Sequence, residues 1–254
     1  METRQERLQV LKDHPTPSVL IVGAGINGIG TFRDLALQGI DVVLIDRGDY
    51  CSGASAASSH MVHGGIRYLE NGEFRLVREA VQERNQLIEK LPHLINPLPT
   101  TFPIFKRFTG LLNAPLKFLG LMDKPSERGA LVIKLGMVFY DAFTSKQKTV
   151  PPHLFRNREN SLKRYPELNP EILYTATYFD GAMPSPERIA IELIKDAVDA
   201  NPKAVPLNYV SLVSAQGGDV IVKDEASGEE ITLRPRLLVN AAGPWIDFVN
   251  QSMG

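Results

Sequence analysis

A glycine-rich loop, "IVGAGINGIG" at residues 21–30, constrains the fold of this chain more than any other feature. An apolar run, Val19–Val22, leads into the loop. Helical periodicity over residues 25–38 follows it, and a second apolar run occupies residues 41–45. Strand, glycine turn, helix and strand make one βαβ unit. The order of these elements predicts an α/β fold built on a parallel sheet.

The glycines of the loop match the G-x-G-x-x-G pattern of dinucleotide sites. Gly23 permits a tight turn, Gly25 lets the backbone approach a pyrophosphate, and Gly28 lets helix and strand pack closely. A pyrophosphate then lies at the helix N-terminus, where free N–H groups favour an anion. Ile26 and Asn27 occupy that position. The loop alone does not separate a nicotinamide dinucleotide from a flavin dinucleotide.

An acidic residue, Asp46, stands about 20 residues after the loop, where dinucleotide-binding proteins bind ribose hydroxyls. A carboxylate there disfavours the 2′-phosphate of NADP. The alternative is that Asp46 is only a turn residue ahead of Arg47 and Gly48. We include Arg47 among the predicted cofactor-binding residues.

Composition and charge disfavour several classes of protein. The 254 residues carry a net charge of −1, without the concentrated basic excess of a nucleic-acid binder. The single cysteine, Cys51, forms no internal disulfide and favours a reducing compartment. No run reaches the roughly 18–20 apolar residues of a spanning helix. We therefore predict a cytoplasmic protein. Residues 110–122 are either a peripheral contact with the inner face of the membrane or a partly buried loop and short helix.

A segment rich in small residues, 51–66, runs directly into "RYLE". The hydroxyls of Ser58 and Ser59 are able to donate to phosphate oxygens. Gly64 and Gly65 leave room for a flat ring against the backbone. The alternative, a flexible linker, fits the small residues but not the sequence that follows them.

The rest of the chain predicts two long helices and a series of short strands. The helices cover residues 73–91 and 186–199, the second with Ser185 as N-cap and Pro186 at its first position. Residues 95–185 are proline-rich and predicted to be irregular, apart from a helical stretch at 136–143. Short strands are predicted within 205–215, 219–224 and 230–240, separated by turns at 217–218 and 227–228.

Residues 22–39, 44–84 and 92–94 resemble the FAD-dependent glycerol-3-phosphate dehydrogenases, and residues 140–141 and 238–247 continue the resemblance over most of the chain from 18 to 250. That family shares a flavoprotein superfamily with D-amino-acid oxidase and sarcosine oxidase. The "HGG" and "RYLE" elements are more specific than the glycine loop. The resemblance implies a discontinuous Rossmann-like FAD-binding domain with a partial substrate or cap domain inserted. The domain bounds are then 1–95 (including a leader, 1–17), 96–185 and 186–254.

The resemblance implies FAD as the cofactor and assigns residues to its parts. The adenosine half is implied to lie beside Asp46 and the backbone near Val210. The pyrophosphate is implied to lie beside Ser58, Ser59, Ala242 and Gly243. The flavin ring is implied to lie beside His63, Gly64 and Gly65.

The resemblance also implies a reaction, the oxidation of sn-glycerol 3-phosphate to dihydroxyacetone phosphate. Hydride passes to flavin N5, and the electrons pass on to a quinone. His63 is the predicted base for the hydroxyl proton, since histidine works near neutral pH. Arg67 is the predicted ligand of the substrate phosphate, and Tyr68 adds a hydroxyl. The alternatives are that His63 only packs beside the flavin and that Arg67 pairs with Glu70.

The chain departs from the family in several places. It has Ala54 and His60 in the serine-rich segment, where the family often has threonine and lysine. It has "MPSPER" where the family often has an Asp-Asp-Ala-Arg run, so Arg188 either replaces that arginine or only begins a helix. His60 and His63 lack further ligands at metal spacing, so no metal site is predicted.

The family's chains are much longer. We therefore expect the N-terminal half of an enzyme, completed by a C-terminal half or a partner chain. Two alternatives are an amino-acid or hydroxy-acid oxidase on the same scaffold, and a truncated, non-catalytic flavin-binding or interaction module.

Overall fold

The computed structural model describes residues 3–66, 68, 73–108, 129–144 and 149–253. The chain divides into two compact units. Unit 1 comprises Met1–Ser59 and Ser185–Gly254, and unit 2 comprises His60–Pro184. The sequence predicts the first boundary after residue 95, whereas residues 60–95 group with the inserted region. They do so because a strand and a long helix in that stretch pack on the sheet of unit 2.

We number the elements in chain order. The helices are α1 (Arg4–Asp13), α2 (Ile26–Leu37), α3 (Phe74–Lys90), α4 (Ala130–Thr144), α5 (Arg158–Arg164), α6 (Pro186–Ala200) and α7 (Ile246–Gln251), with a 3₁₀ turn at Gly243–Trp245. The strands are β1 (Val19–Val22), β2 (Val42–Asp46), β3 (Met61–Val62), β4 (Asn96–Ile104), β5 (Leu154–Asn157), β6 (Tyr174–Ala182), β7 (Ala204–Asn208), β8 (Val210–Gln216), β9 (Asp219–Asp224), β10 (Glu230–Leu233) and β11 (Leu237–Asn240).

Unit 1 is built on a four-stranded parallel sheet in the order β11–β1–β2–β7. All four residues of β1 are buried, because both faces of the sheet are covered. Ile21 packs with α2 and α6 on one face. Leu20 and Val22 pack on the other face with α1 and the antiparallel sheet β10–β9–β8. The predicted α/β fold is confirmed, and the two alternating faces of β1 show why it forms.

The predicted βαβ unit is confirmed nearly residue for residue. Helix α2 begins after Gly25 and ends at Leu37, and Gly39 follows it with a φ of +75°. Glycine tolerates this left-handed conformation at a helix end, which is why it stops the helix here. Helix α6 also begins where predicted, but the side chain of Ser185 makes no capping hydrogen bond within the described part of the chain.

The leader predicted at residues 1–17 contains helix α1. Thr3 and Glu6 form a capping box at its start, and both Arg7 and Leu11 are buried. The helix packs against β7. The helix ends at Asp13, just before Pro15, which disfavours a helical residue ahead of it, and the capping box and the buried Leu11 make this segment part of unit 1.

Unit 2 contains an antiparallel sheet in which β6 pairs with β4 along its whole length and with β5 and β3 on its other side. The irregular structure predicted for residues 95–185 is therefore wrong. Pro97, Pro99 and Pro103 lie at alternate positions of β4, so their missing N–H groups all face the same side. Within the described residues β4 pairs with β6 alone, and such an edge strand tolerates proline.

The two helices predicted in unit 2 are present. Helix α3 buries Val77, Val81 and Ile88 on one face, whereas Phe74 at its start is exposed. Helix α4 contains the helical stretch predicted at 136–143. Within the described part of the chain, no helix combines the length and apolar character needed to cross a membrane. The segment 110–122 lies outside the described residues.

Candidate functional site

A cavity of about 880 Å³ opens in unit 1 where β1 and β2 end. Parallel α/β sheets bind ligands beyond the carboxyl ends of their strands, so this is the expected place for a site. The cavity brings together residues that lie far apart in the sequence. The predicted cofactor-binding residues that line it are Gly23, Gly25, Ile26, Asn27, Asp46, Arg47, Val210, Ala242 and Gly243.

The glycines of the loop differ in what surrounds them. A Cβ atom on Gly28 would lie 1.8 Å from the carbonyl oxygen of Gly23, and one on Gly23 would lie 2.6 Å from that of Ala241. A Cβ atom on Gly25 would meet only Ser55 Oγ, at 3.4 Å. Gly23 and Gly28 therefore permit close backbone packing. Gly25 instead presents its backbone to the cavity, while Gly28 does not line it.

The carboxylate of Asp46 holds two turns together. One oxygen accepts a hydrogen bond from Ala24 N at 2.7 Å, and the other accepts one from Gly48 N at 2.8 Å. Asp46 therefore holds a turn, as the first interpretation expects. It also lines the cavity, as the interpretation of a ribose-binding residue expects. A carboxylate accepts up to about four hydrogen bonds, so acceptor capacity remains for ribose hydroxyls.

The serine that contacts the glycine loop is Ser55, whose Oγ accepts a hydrogen bond from Ile26 N at 3.0 Å. Ser55 and Ser52 both line the cavity. Ser58 and Ser59 are exposed and are not among the lining residues. Sequence reasoning missed Ser55, since nothing in the spacing of the four serines distinguishes it from the others.

Other residues that line the cavity were not predicted from the sequence, among them Trp245, Phe248 and Glu225. Trp245 lies in the turn after β11, and the Arg47 guanidinium carbon is 5.3 Å from the centroid of its ring. Phe248 of α7 and Glu225 after β9 also line the cavity. The motif "AAGPW" was a signal for Trp245, but its contact with Arg47 depends on the position of β11 in the sheet.

The segment 63–65 belongs to unit 2, where its backbone is tightly held. Gly64 N donates to Asp180 Oδ1 at 2.9 Å, and a Cβ atom on Gly64 would lie 2.0 Å from the hydroxyl of Tyr140. Gly65 has a φ of +68°. His63 itself is exposed. The backbone that carries His63 is thus held within unit 2, whereas its imidazole is exposed.

The hydroxyl of Tyr140 donates to Asp180 Oδ1 at 3.0 Å. Burial raises the pKa of the Tyr140 phenol well above its ordinary value, so Tyr140 remains a donor in this bond. Of the other predicted catalytic residues, Tyr68 is exposed and Arg67 lies outside the described residues.

The described part of the chain contains no cluster of three or more histidine, cysteine, aspartate or glutamate side chains placed to hold a metal ion. Cys51 is buried, and this burial raises the pKa of its thiol. A thiol of raised pKa is a poor nucleophile.

A family model described as FAD dependent oxidoreductase matches residues 18–254. The chain belongs to this family. Family membership confirms the predicted resemblance to FAD-dependent enzymes. The match includes the glycine loop, Asp46 at the end of β2 and the turn at 241–245, which meet at one cavity.

Two curated relatives of the chain are dehydrogenases of phosphorylated polyols by name. The chain is 34% identical over 240 residues to a glycerol-3-phosphate dehydrogenase of Synechocystis, covering 91% of the chain and 40% of that protein. It is 36% identical over 242 residues to the D-erythritol 1-phosphate dehydrogenase of Brucella abortus, covering 92% of the chain and 43% of that protein. The chain thus spans less than half the length of these relatives.

A solved structure shares the fold. The glycerol-3-phosphate dehydrogenase of Bacillus halodurans, complexed with FAD, matches with a TM-score of 0.67 and 24% identity. The match covers 99% of this chain and 40% of that one. At this level of identity the likeness establishes the fold.

Proposed function

We propose that this chain is the FAD-binding part of a dehydrogenase that oxidises a small phosphorylated alcohol. The observation that carries the proposal is the cavity of unit 1. A glycine loop, an acidic residue and a cationic residue meet there at the carboxyl ends of β1 and β2. The family to which the chain belongs supplies the identity of the cofactor.

The residues of the cavity fit an extended dinucleotide. Helix α2 begins after Gly25, which has no side chain to cap it, and Ile26 N donates to Ser55 Oγ. The next N–H of this first turn, at Asn27, has no acceptor within the helix and is proposed to face the pyrophosphate. Asp46 accepts hydrogen bonds from the adenosine ribose, and the backbone at Val210 lies beside the adenine. Ala242 and Gly243 flank the pyrophosphate.

The proposed flavin end involves residues of the 51–66 segment. Ser58 and Ser59 remain proposed ligands of the pyrophosphate, and His63, Gly64 and Gly65 are proposed to lie beside the ring. The support for this assignment in unit 2 is the exposed side chain of His63, which lies next to a backbone that Gly64 N anchors on Asp180.

FAD, when bound, supplies a ring that accepts a hydride from the carbinol carbon of the substrate. His63 accepts the proton of the substrate hydroxyl, which leaves the alcohol as a ketone. Arg67 binds the substrate phosphate through charge-assisted hydrogen bonds, and Tyr68 donates a further one.

The substrate class follows from what the two curated relatives have in common. Their names specify glycerol 3-phosphate and D-erythritol 1-phosphate, and both are monophosphates of small polyols. We take sn-glycerol 3-phosphate as the substrate, dihydroxyacetone phosphate as the product and a quinone as the electron acceptor. We place the protein in the cytoplasm, peripheral to the inner face of the membrane, and assign the remaining substrate contacts to a C-terminal half or a partner chain.

Steady-state turnover of the complete enzyme with a dye acceptor tests this proposal. The panel is sn-glycerol 3-phosphate, D-erythritol 1-phosphate, unphosphorylated glycerol, and the amines glycine and D-alanine. We expect turnover with the phosphorylated alcohols, and bleaching of the bound flavin by the same compounds under anaerobic conditions. Turnover with the amines alone would overturn the proposal in favour of an amino-acid oxidase.

A further inference from the structure

The side chains of Arg47 and Trp245 form a cation–π contact at the cavity. The guanidinium carbon lies 5.3 Å from the centroid of the indole, within the range of an attractive interaction. Arg47 follows β2 and Trp245 follows β11, and these two strands lie on either side of β1. The contact therefore joins the two segments that flank the glycine loop after β1.

The charges of the cavity make Arg47 distinctive. Among the described residues that line it, Arg47 is the one with a cationic side chain, whereas Asp46 and Glu225 are acidic. A pyrophosphate is anionic and is bound well by a guanidinium. Because the side chain of arginine is long and has many rotamers, its charge is useful only if the guanidinium is held in place.

The ring of Trp245 itself has a close backbone neighbour. A Cβ atom on Gly53 would lie 3.1 Å from Trp245 Cζ3, so the backbone at Gly53 lies close beside the indole. The 3₁₀ turn Gly243–Trp245 fixes the other end of the side chain. Trp245 thus offers Arg47 an aromatic ring that lies close to Gly53 and is carried by a 3₁₀ turn.

We propose that Trp245 is a positioning residue that holds the Arg47 guanidinium in the cavity, where it pairs with the pyrophosphate of the dinucleotide. This inference rests on the proposed function, since it takes FAD as the ligand. Trp245 acts through Arg47 and not by stacking on the ligand. The effect of removing Trp245 must therefore depend on whether Arg47 is present.

A double-mutant cycle on FAD affinity, measured by isothermal titration calorimetry, tests this dependence. Arg47→Gln should weaken binding about tenfold, the loss of a charge-assisted hydrogen bond. Trp245→Leu should weaken it about threefold, as expected for a cation–π contact. The double variant should bind no more weakly than Arg47→Gln alone. Trp245→Phe, which keeps an aromatic face, should recover part of the loss.

Salt dependence and a ligand-free measurement separate positioning from a general structural effect. The loss caused by Trp245→Leu should shrink at high ionic strength, because salt screens the guanidinium–phosphate attraction. In the apo-protein, Arg47→Gln should reduce the quenching of Trp245 by iodide relative to quenching by uncharged acrylamide. Far-UV circular dichroism of each variant should match that of the wild type.

Three outcomes would overturn the inference. Multiplicative effects in the double variant would mean that Trp245 contacts the ligand directly. An unchanged affinity in Trp245→Leu would mean that Arg47 needs no positioning. If the wild-type protein fails to bind FAD, the proposed function is overturned and this inference with it. If the wild type binds FAD and the variants bind it equally well, the inference alone is overturned.

Discussion

Arg84 and Asp180 form an ion pair sealed inside unit 2, with an Nη1–Oδ1 distance of 3.3 Å and side chains that are 0% and 3% exposed. The same carboxylate oxygen accepts hydrogen bonds from Gly64 N and the Tyr140 hydroxyl. Arg84 also donates to the Tyr140 hydroxyl at 2.6 Å and to the carbonyl of Phe179 at 2.8 Å. This network joins α3, α4 and β6 to the segment that carries His63.

Replacing Arg84 with methionine should destabilise the protein by about 3–5 kcal/mol, because Asp180 is left buried without its cation. Chemical denaturation measures the loss. The matched control is Arg75→Met, on the same helix, where the arginine side chain is 91% exposed and pairs with Glu79. We expect no measurable change there, because exposed ion pairs contribute little. Equal losses in the two variants would contradict the assignment of the network.

Substitution by alanine should have opposite effects on stability at two glycines of α2. Gly28→Ala places a Cβ atom against the Gly23 carbonyl and should destabilise the protein by about 3 kcal/mol or more. A Cβ atom on Gly30 would meet nothing within 4 Å. Gly30→Ala should therefore stabilise the protein by about 0.5–1 kcal/mol through helix propensity. Thermal unfolding of both variants measures the difference, and a destabilised Gly30→Ala would refute the packing argument.

The ionised carboxyl of Asp224 should make a contribution to stability that is lost in acid. Burial raises its pKa, but hydrogen bonds from Arg4, Ser227 and Ala226 outweigh burial and lower the pKa to about 2. Since an unfolded aspartate has a pKa of about 3.9, the folded carboxyl has the lower value. The stabilisation is therefore complete above the unfolded pKa and is lost as the pH falls through about 2.

The size of this contribution is on the order of 1–2 kcal/mol, because the partly exposed Arg4 side chain is screened by solvent. Unfolding free energies measured between neutral pH and pH 2 should fall less steeply in Asp224→Asn than in the wild type. Arg4→Met should show the same weaker dependence, since it removes one of the groups that lower the pKa. An unchanged slope in both variants would contradict the assignment.

The role proposed for His63 predicts a loss of rate without a loss of cofactor. In the complete enzyme, His63→Ala should lower kcat by about 10²–10⁴-fold, the usual contribution of a general base. The absorption spectrum of the bound flavin should be unchanged. His153→Ala is the control, because His153 is hydrogen-bonded to Asp141 at 2.7 Å and has no proposed part in the reaction. A wild-type kcat in His63→Ala would exclude His63 as the base.

Short-range patterns were sufficient to predict the βαβ unit. Gly23, Gly28 and Asp46 each act within a few residues of a strand end, where the geometry of one turn decides their position. The apolar run of β1 likewise indicated a strand covered on both faces. These features are local, and the structure agrees with them.

Features that depend on distant pairing were not accessible in the same way. Strand β4 contains prolines, and only its position at the edge of the sheet makes them compatible with a strand. The contact between Arg47 and Trp245 requires β11 to pair with β1 across more than 200 residues of sequence. Helix α1 is held by burial of Leu11 against the sheet, which its charged sequence does not reveal.

Trp245 allows the proposed binding of FAD in the cavity of unit 1 to be measured spectroscopically. It is the single tryptophan of the chain and it lines the cavity. Titration of the apo-protein with FAD should quench Trp245 emission saturably at one FAD per chain, and the protein should elute yellow from gel filtration. Unchanged emission, after correction for absorption by FAD, together with a colourless protein would contradict the account.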